Sequence, residues 1–499
     1  MLINFRKNVN KVFFFLFLFL IFFLPWEKIV FISVYNIDIR PYQFLLFVLY
    51  FFLGLDYLLN KKKIKFKKVF WKLRQKKIDL FLVLFFLASF LSMGNALNKK
   101  IALKQSLILI ILGSIYWLTP YFINQKNKLK VAIKWFYFSI LGVIVYGIWQ
   151  NWQFMHGYQH YETMPGRPNA SFVEADWLGI FLALTLSVEY LVFLVFLSQN
   201  KLGQKKYFYH FLNLFLIELT LILLILTVSR SAWLGAVGTT FCFFLFLIYL
   251  AFKKILINFK KLLYSSLILA GLFLLSLFLI KIIPLSKFEF KNRLQSTQSG
   301  WQEITISCNK NKYQSFQELK KKLPLKINDL DELKKYQCHF IKLEEIASEK
   351  RKGNYIAKVY RSDPNFNIRQ KIYKKSFQEI KKHFILGIGW GNISLVLGKD
   401  SLGNNLNASN IFLEVWLGSG LLGLVSFLAI LINIFQKGGE YFFIGVKQKD
   451  NFLILWGIFL CLSLLAFFVP NLFNSGIMLG FFWLWLGIVS LDFFVLQKN

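Results

Sequence analysis

The sequence predicts an all-α polytopic membrane protein, and three observations lead to this fold class. Hydrophobic residues make up 56% of the 499 residues and aromatic residues 19%, more than a soluble domain could hide from water. Apolar runs of about 20 residues, the length that crosses a bilayer as a helix, recur along the chain. The net charge of +35 is concentrated between these runs, which is typical of topology control and contact with anionic lipids rather than of nucleic-acid binding.

The apolar runs predict about twelve transmembrane helices. The first run follows "MLINFRKNVNK", and no small-residue cleavage site comes after it, so we expect an uncleaved helix rather than a signal peptide. The predicted spans are 12–25, 41–59, 79–97, 101–123, 131–150, 177–198, 207–227, 231–252, 262–283, 410–435, 452–469 and 472–496.

The distribution of positive charge orients these spans. With the N-terminus in the cytoplasm, the inside segments carry 27 Lys and Arg, whereas the short outside segments carry 6. Cytoplasmic loops are the ones enriched in these residues, so both termini are predicted to lie inside. The chain then divides into spans 1–9 (residues 1–283), a large outer loop (284–409) and spans 10–12 (410–499).

The outer loop is too long to be a passive connection. It carries 24 Lys and Arg against 12 Asp and Glu, and long loops translocate largely regardless of charge. Its end, "NIRQKIYKKSFQEIKKHF", has apolar residues at helical spacing with lysines opposite, which predicts a helix on the headgroups within a mainly helical loop. Cys308 and Cys338 both lie in this loop, where they could form a disulfide if the fold brings them together.

The stretch "TVSRSAWLG" places an arginine between two apolar runs. On the predicted topology Arg230 lies in a short outer turn between spans 7 and 8, just above the bilayer. Its planar group of five donors suits forked bonding to phosphate. Anchoring the interface by snorkelling is the other reading of the same position.

Four features together resemble the O-antigen ligase and O-antigen polymerase family of bacterial membrane glycosyltransferases. They are "SRSAWLG" at the span 7–8 turn; Arg369 followed by the glycine-rich "HFILGIGWGN"; "SNIFLEVWLGSGLLGL" at the start of span 10; and twelve spans with a large loop between spans 9 and 10. The specific motifs lie within residues 227–238 and 369–424. Each motif alone is weak, but their order and placement are specific.

The resemblance implies a function in surface polysaccharide biosynthesis, for example of lipopolysaccharide, at the outer face of the bacterial inner membrane. The donor would be an undecaprenyl-diphosphate-linked glycan, the acceptor a glycan or a lipid, and transfer would invert the sugar without metal, nucleotide or other cofactor. Arg230 and Arg369 would bind the diphosphate as catalytic residues, with Ser229 and Ser231 beside the substrate. No nucleic-acid partner is expected; membrane lipids are.

One position departs from the family pattern. Ligases of this family usually have His-Asn where this chain has Ser409 and Asn410, and a serine is no base at neutral pH. Both residues are expected at the acceptor. Glu414, one helical turn further on, is the first substitute for the base, although a carboxylate is favoured near a helix N-terminus for structural reasons alone. Alternatively, the acceptor needs little help because its proton leaves late.

The stretch "GRPNASFVEADWLG" before span 6 loosely resembles a polar segment of the same family. Arg167 and Glu174, with Asp176 nearby, are candidates for contact with sugar. A helix start with acidic residues in its first turn explains the pattern equally well.

Other polar residues give weaker signals. His156 and His160 have the i,i+4 spacing of zinc ligands, but no third ligand is evident, so no metal site is predicted. Glu189 and Glu218 fall within predicted spans, where they could be functional or could hydrogen-bond between helices. The glycines of "LGIGWG" predict a turn re-entering the membrane surface rather than a nucleotide loop. The alternative function is a transporter or flippase of lipid-linked sugars, but internal repeats typical of transporters are not seen.

Overall fold

The computed structural model describes residues 2–30, 32–34, 37–59, 77–159, 166–199, 203–282, 299–313, 315–341, 345–362, 364–399 and 405–491. His160 and the end of the last predicted span lie outside these residues. The chain forms two compact units. One is helical and comprises Met1–Leu285 and Lys375–Asn499; the other comprises Ser286–Lys374.

Long helices dominate the helical unit. They are α1 (Leu2–Phe23), α2 (Pro41–Leu59), α3 (Lys77–Leu91), α4 (Lys99–Phe122), α5 (Lys126–Met155), α6 (Ala175–Leu197), α7 (Gln204–Leu226), α8 (Arg230–Phe252) and α9 (Phe259–Ile282). The later helices are α14 (Ile411–Gln448), α15 (Asn451–Asn471) and α16 (Gly480–Val489). A two-stranded antiparallel ladder, β1 (Ile32–Val34) with β2 (Ile37–Ile39), lies between α1 and α2.

Nine helices of the described chain are long and apolar enough to cross a membrane. These nine coincide with nine of the predicted spans. Shorter apolar helices, Lys11–Phe23, Pro41–Leu55 and Gly480–Val489, fall on the other three. The protein is therefore mostly helical and polytopic, as predicted, while twelve crossings and their orientation remain part of the proposal below.

The helices bury their side chains to very different extents. In the most apolar stretch of α6, 72% of the residues are buried, against 22% in α9. α6 therefore lies in the middle of the bundle and α9 at its edge. Because both helices are apolar all round, the exposed face of α9 is suited to lipid.

The helix α14 is broken near its start. Gly420 has φ 68° and ψ −169°, so Ile411–Gln448 consists of two helical segments joined at a kink. Asn410 caps the first segment, its side-chain oxygen accepting from the backbone N–H groups of Phe412 and Leu413. The second segment continues past the predicted end at residue 435 because it packs against α15, where Gly445 lies next to Ile454.

The second unit corrects the prediction of an all-α fold with a mainly helical loop. Its described residues form a four-stranded sheet of order β4-β6-β3-β5, from β3 (Trp301–Cys308), β4 (Lys326–Ile327), β5 (Cys338–Phe340) and β6 (Tyr355–Ser362). Short helices α10 (Phe316–Lys322) and α11 (Ile346–Arg351) lie between strands, and α12 (Pro364–Lys382) follows β6. "WQEITISC" alternates buried apolar residues with polar ones, which is the period of a strand.

The sheet has its own small core and a disulfide. Ile304, Ile306 and Val359 are buried on one face. Cys308 lies opposite Cys338 in the β3–β5 register, with Cα atoms 4.1 Å apart, and the two are joined. The disulfide considered from sequence is therefore present.

A buried carboxylate fastens α11 to the sheet. Glu349 accepts hydrogen bonds from Ser307 on β3, Lys352 and Asn354, each 2.7–2.8 Å long. The hydrogen bonds from these three donors, that of Lys352 first, lower the pKa of Glu349 from 4.5 to about 2. The carboxylate is thus held ionised over the ordinary pH range.

Candidate functional site

Polar segments from four parts of the helical unit are joined by hydrogen bonds at one end of the bundle, the end predicted to face outward. They are the turn before α8, the segment before α6, the start of α14 and the turn after α15. Sequence reasoning identified the first three.

The motif "SRSAWLG" is explained residue by residue by the turn into α8. Ser229 precedes the helix and Arg230 is its first residue; Ser229 and Ser231 are buried, whereas Arg230 is half-buried. Trp233 donates from its indole nitrogen to the Leu224 carbonyl of α7, 2.9 Å away. A Cβ added at Gly235 would lie 2.6 Å from Pro470 of α15. The motif therefore packs α8 closely and leaves the arginine at the rim.

The turn itself holds an uncommon backbone conformation. Val228 has φ 53°, in the left-handed region that a β-branched residue rarely adopts. The Thr227 hydroxyl donates to the Leu224 carbonyl at 2.7 Å and accepts from the Ser229 N–H at 3.3 Å. Strain of this kind persists where surrounding contacts fix it, and it is frequent at functional sites.

Arg167 is one of the contacts that fix this turn. Its side chain is buried, its Nε–H donates to the Thr227 carbonyl at 3.0 Å, and its Nη2 lies 3.2 Å from Asp176 Oδ1. A guanidinium with these bonds holds the Arg230 turn against the start of α6. We expected Arg167 at the substrate; these contacts support a positioning role instead.

The rest of the "GRPNAS" segment is anchored in the bundle. The backbone N–H of Ala170 donates to Gln150 Oε1 of α5 at 2.7 Å. The Ser171 hydroxyl donates to the Pro25 carbonyl, and the Lys28 N–H donates to the Ser171 carbonyl. Glu174 precedes α6 and is exposed. Of the two residues predicted here for sugar contact, Glu174 is thus the more accessible.

The start of α14 forms a second corner of the site. Ser409 has φ 49° and its N–H donates to Asn407 Oδ1 at 2.8 Å. Glu414 Oε2 accepts from the Ala408 N–H at 2.6 Å. Asn410 donates from Nδ2 to the Leu472 carbonyl at 2.9 Å. The bond to Ala408 is the structural use of Glu414 that its place near a helix N-terminus suggested.

The turn after α15 connects the two corners, and sequence reasoning missed it. Asn474 Nδ2 donates to Ser231 Oγ at 2.9 Å, while the Leu472 carbonyl receives Asn410. Asn471 is buried and accepts from the Gly476 N–H at 2.7 Å. Two asparagines within "PNLFNSG", at the end of an otherwise apolar span, were the available signal.

Arg369, the second predicted diphosphate ligand, lies on α12 within the other unit and is half-buried. The helix α12 is amphipathic, as its lysine pattern predicted. Arg351 and Arg361 belong to the same unit, and Arg293 lies outside the described residues.

The intramembrane acids and His156 have structural partners. Glu189 Oε1 accepts from Thr220 of α7 at 2.9 Å, and Glu218 Oε1 accepts from Ser276 of α9 at 3.0 Å. These are the interhelical hydrogen bonds considered from sequence. His156 Nδ1 lies 2.8 Å from the Trp152 carbonyl at the end of α5. Within the described part of the chain, no group of three or more His, Cys, Asp and Glu could hold a metal ion.

The bundle and its polar end define a multi-pass membrane protein with a site built at the helix ends rather than within the bundle. Residues 215–428 match a family model described as O-antigen ligase. The chain therefore carries an O-antigen ligase family domain, as the sequence motifs indicated. The family is one of bacterial inner-membrane enzymes, and membership implies ligation or polymerisation of lipid-linked glycans. No curated protein matches the chain.

Proposed function

We propose that the protein transfers a glycan from an undecaprenyl-diphosphate carrier to an acceptor hydroxyl at the outer face of the bacterial cytoplasmic membrane. The bond between the sugar C1 and the diphosphate oxygen breaks, and a bond from C1 to the acceptor oxygen forms with inversion. The acceptor loses its proton, and the lipid diphosphate leaves with the electron pair of the broken bond. Twelve spans with both termini inside place the site on that face.

The observation that carries this proposal is the construction of the Arg230 turn. A guanidinium at the first residue of α8 adds its charge to the positive end of the helix dipole, where anions bind favourably. The Arg167 bond to Thr227 and the Asn474 bond to Ser231 hold the turn on both sides. A preorganised cation stabilises the charge that builds on the departing diphosphate without having to rearrange.

Arg369 is proposed as the second cation on the diphosphate. Two guanidinium groups on one leaving group act as a unit, so removing either one should abolish most of their joint effect. Arg230→Ala, Arg369→Ala and the double variant should therefore show nearly equal losses of rate. Fully additive losses would indicate that the two arginines act at separate places.

The acceptor corner is proposed at Ser409, Asn410 and Glu174. Because one oxygen of Glu414 already accepts from Ala408, we assign Glu414 to orienting this corner, with the acceptor proton leaving late. The transporter alternative gains no support from the broken helix α14. In transporters, opened backbone groups face a cavity or ion; here a neighbouring segment pairs them, as described below.

The test is reconstitution of the purified protein with a lipid-diphosphate glycan and candidate acceptors, in chelator and without nucleotide. Release of lipid diphosphate together with a longer or conjugated glycan supports the proposal. Single-repeat surface product after gene deletion would identify a polymerase, and undelivered lipid-linked polymer a ligase. Turnover that depends on divalent metal, or flipping of the donor without transfer, would refute it.

A further inference from the structure

The break in α14 is filled by backbone from the glycine-rich segment that follows α12. In an intact helix the Leu421 N–H would donate to the Leu417 carbonyl. Here the Leu421 N–H donates to the Ile385 carbonyl at 3.0 Å, and the Leu417 carbonyl accepts from the Ile388 N–H at 2.7 Å. One helical hydrogen bond is thus replaced by two bonds between segments.

Two glycines make this approach sterically feasible. A Cβ at Gly420 would overlap the Ile385 carbonyl, and a Cβ at Gly387 would lie 2.5 Å from the Leu417 oxygen. Both residues have positive φ, 68° and 72°, which only glycine adopts readily. The pairing lies about 14 Å along the axis from Ile411, a depth at which backbone groups need protein partners because lipid offers none.

Side chains fasten the same segment on both sides. Trp416 donates from its indole nitrogen to the Phe384 carbonyl at 3.1 Å. Trp390 is buried and donates to Ser89 of α3 at 3.0 Å. Asn392 accepts from the Asn98 N–H just before α4 at 2.8 Å. The first part of α14 is thus held by the inserted segment rather than by its own continuation.

We propose that the insertion of Ile385–Ile388 into the break at Gly420 is a positioning device that fixes the first segment of α14, and with it Asn410 and Glu414, in the transfer site. The inference rests on the proposed function. It makes the glycine-rich motif and the "SNIFLEVWLGSG" motif two halves of one structure. Gly420 and the inserted segment act through the α14 start and do not touch the reacting atoms.

The test compares two glycine substitutions in the same helix. Gly420→Ala meets the Ile385 backbone, whereas Gly439→Ala meets nothing within 4 Å. A displacement of the acceptor corner by an ångström can cost about 100-fold in rate. We expect Gly420→Ala to lower kcat by about that factor with the KM for donor changed less than about twofold, since the diphosphate contacts lie at α8. Gly439→Ala should match wild type in both constants.

Hydrogen exchange of the full-length protein in nanodiscs supplies a readout that does not depend on turnover. In Gly420→Ala the amides of Ile388 and Leu421 should lose protection together, whereas in Gly439→Ala both should stay protected. If Gly420→Ala does not accumulate, Trp416→Phe removes only the bond to Phe384 and should raise both exchange rates with the same loss confined to kcat.

Wild-type kcat and unchanged exchange in Gly420→Ala, or in Trp416→Phe where that variant replaces it, would overturn the proposal. A parallel fall in kcat and rise in KM would also overturn it, because it would indicate general damage. If the wild-type protein transfers no glycan at all, the proposed function fails, while the exchange measurement still decides whether the pairing exists.

Discussion

Replacing Arg230 by lysine separates the two readings of this residue. A lysine keeps the positive charge and snorkels as well as arginine, so it should serve equally well as an interfacial anchor. It lacks the planar fork that bonds two phosphate oxygens at once. If Arg230 binds the diphosphate, Arg230→Lys should fail almost as badly as Arg230→Ala.

The expected magnitude comes from the place of the side chain. Arg230 is half-buried at the first residue of α8, between the buried Ser229 and Ser231, so its contact with a leaving group is partly shielded from water. Losing one preorganised contact of this type costs about 2.7–4 kcal/mol, a ~100- to 1,000-fold drop in kcat. The amount of protein in the membrane should stay near normal because the side chain is not part of the packed core.

The assay is release of lipid diphosphate from a glycan donor by purified variants. Arg351→Lys is the matched control, since Arg351 is exposed at the end of α11, and it should behave as wild type. Near wild-type turnover by Arg230→Lys would refute the diphosphate contact. An equal loss in the Arg351 control would show that the assay reports the loss of any arginine.

Glu414→Gln keeps an acceptor for the neighbouring backbone N–H but removes a base, so kcat should stay within a few-fold; a drop of ~100-fold at normal stability would instead identify a general base. Arg167→Lys should lower both kcat and thermal stability, because a buried hydrogen bond from a charged group is worth about 1.5–3 kcal/mol; stability equal to wild type would contradict the positioning role. The pKa of Glu349 is lower in the folded protein than the usual 4.5, so its stabilisation of the sheet is complete above about pH 4.5 and is lost as the pH falls toward about 2. Exchange of the β3 amides should rise in that window, and Glu349→Gln should remove this pH dependence; a wild-type profile in that variant would count against it. A reporter active only in the cytoplasm, fused after Lys320, should be silent, and activity there would overturn the orientation.

The helices could be predicted because each apolar run is long enough to require a membrane or a large core. Their ends were less predictable. "QKGGEYFFIGVKQ" is polar enough to suggest that α14 stops near residue 435, yet the helix continues to Gln448 because Gly438 and Gly445 let it pack on α15. Contact with a neighbouring helix outweighed local composition there.

The sheet in the outer loop was missed although its pattern was present. "WQEITISC" and "YIAKVYRS" both alternate in burial along the strand, but helical spacing at the loop's end favoured a helical reading of the whole. The disulfide could not be predicted with certainty because only the β3–β5 register brings Cys308 next to Cys338.

The site was predictable in its motifs and unpredictable in its connections. Arg230 and its serines stood out because a charge between apolar runs needs an explanation. Asn474 gives no such signal, since an asparagine in a short turn is ordinary until the fold places it on Ser231. The positioning contacts of Arg167 were hidden for the same reason: its partner is a backbone carbonyl, which every residue has.

The break at Gly420 has a consequence for how the chain assembles in the membrane. The glycine-rich segment precedes α14 in the sequence, so it has already been synthesised when α14 inserts as an apolar segment. Until that segment docks, the Leu417 carbonyl and the Leu421 N–H can satisfy each other within a continuous helix. The break is therefore a late step of biogenesis, in which a helix that was complete on its own opens to admit its neighbour. A peptide of residues 411–435 in lipid should be helical throughout, and site assembly should lag behind insertion of the final spans.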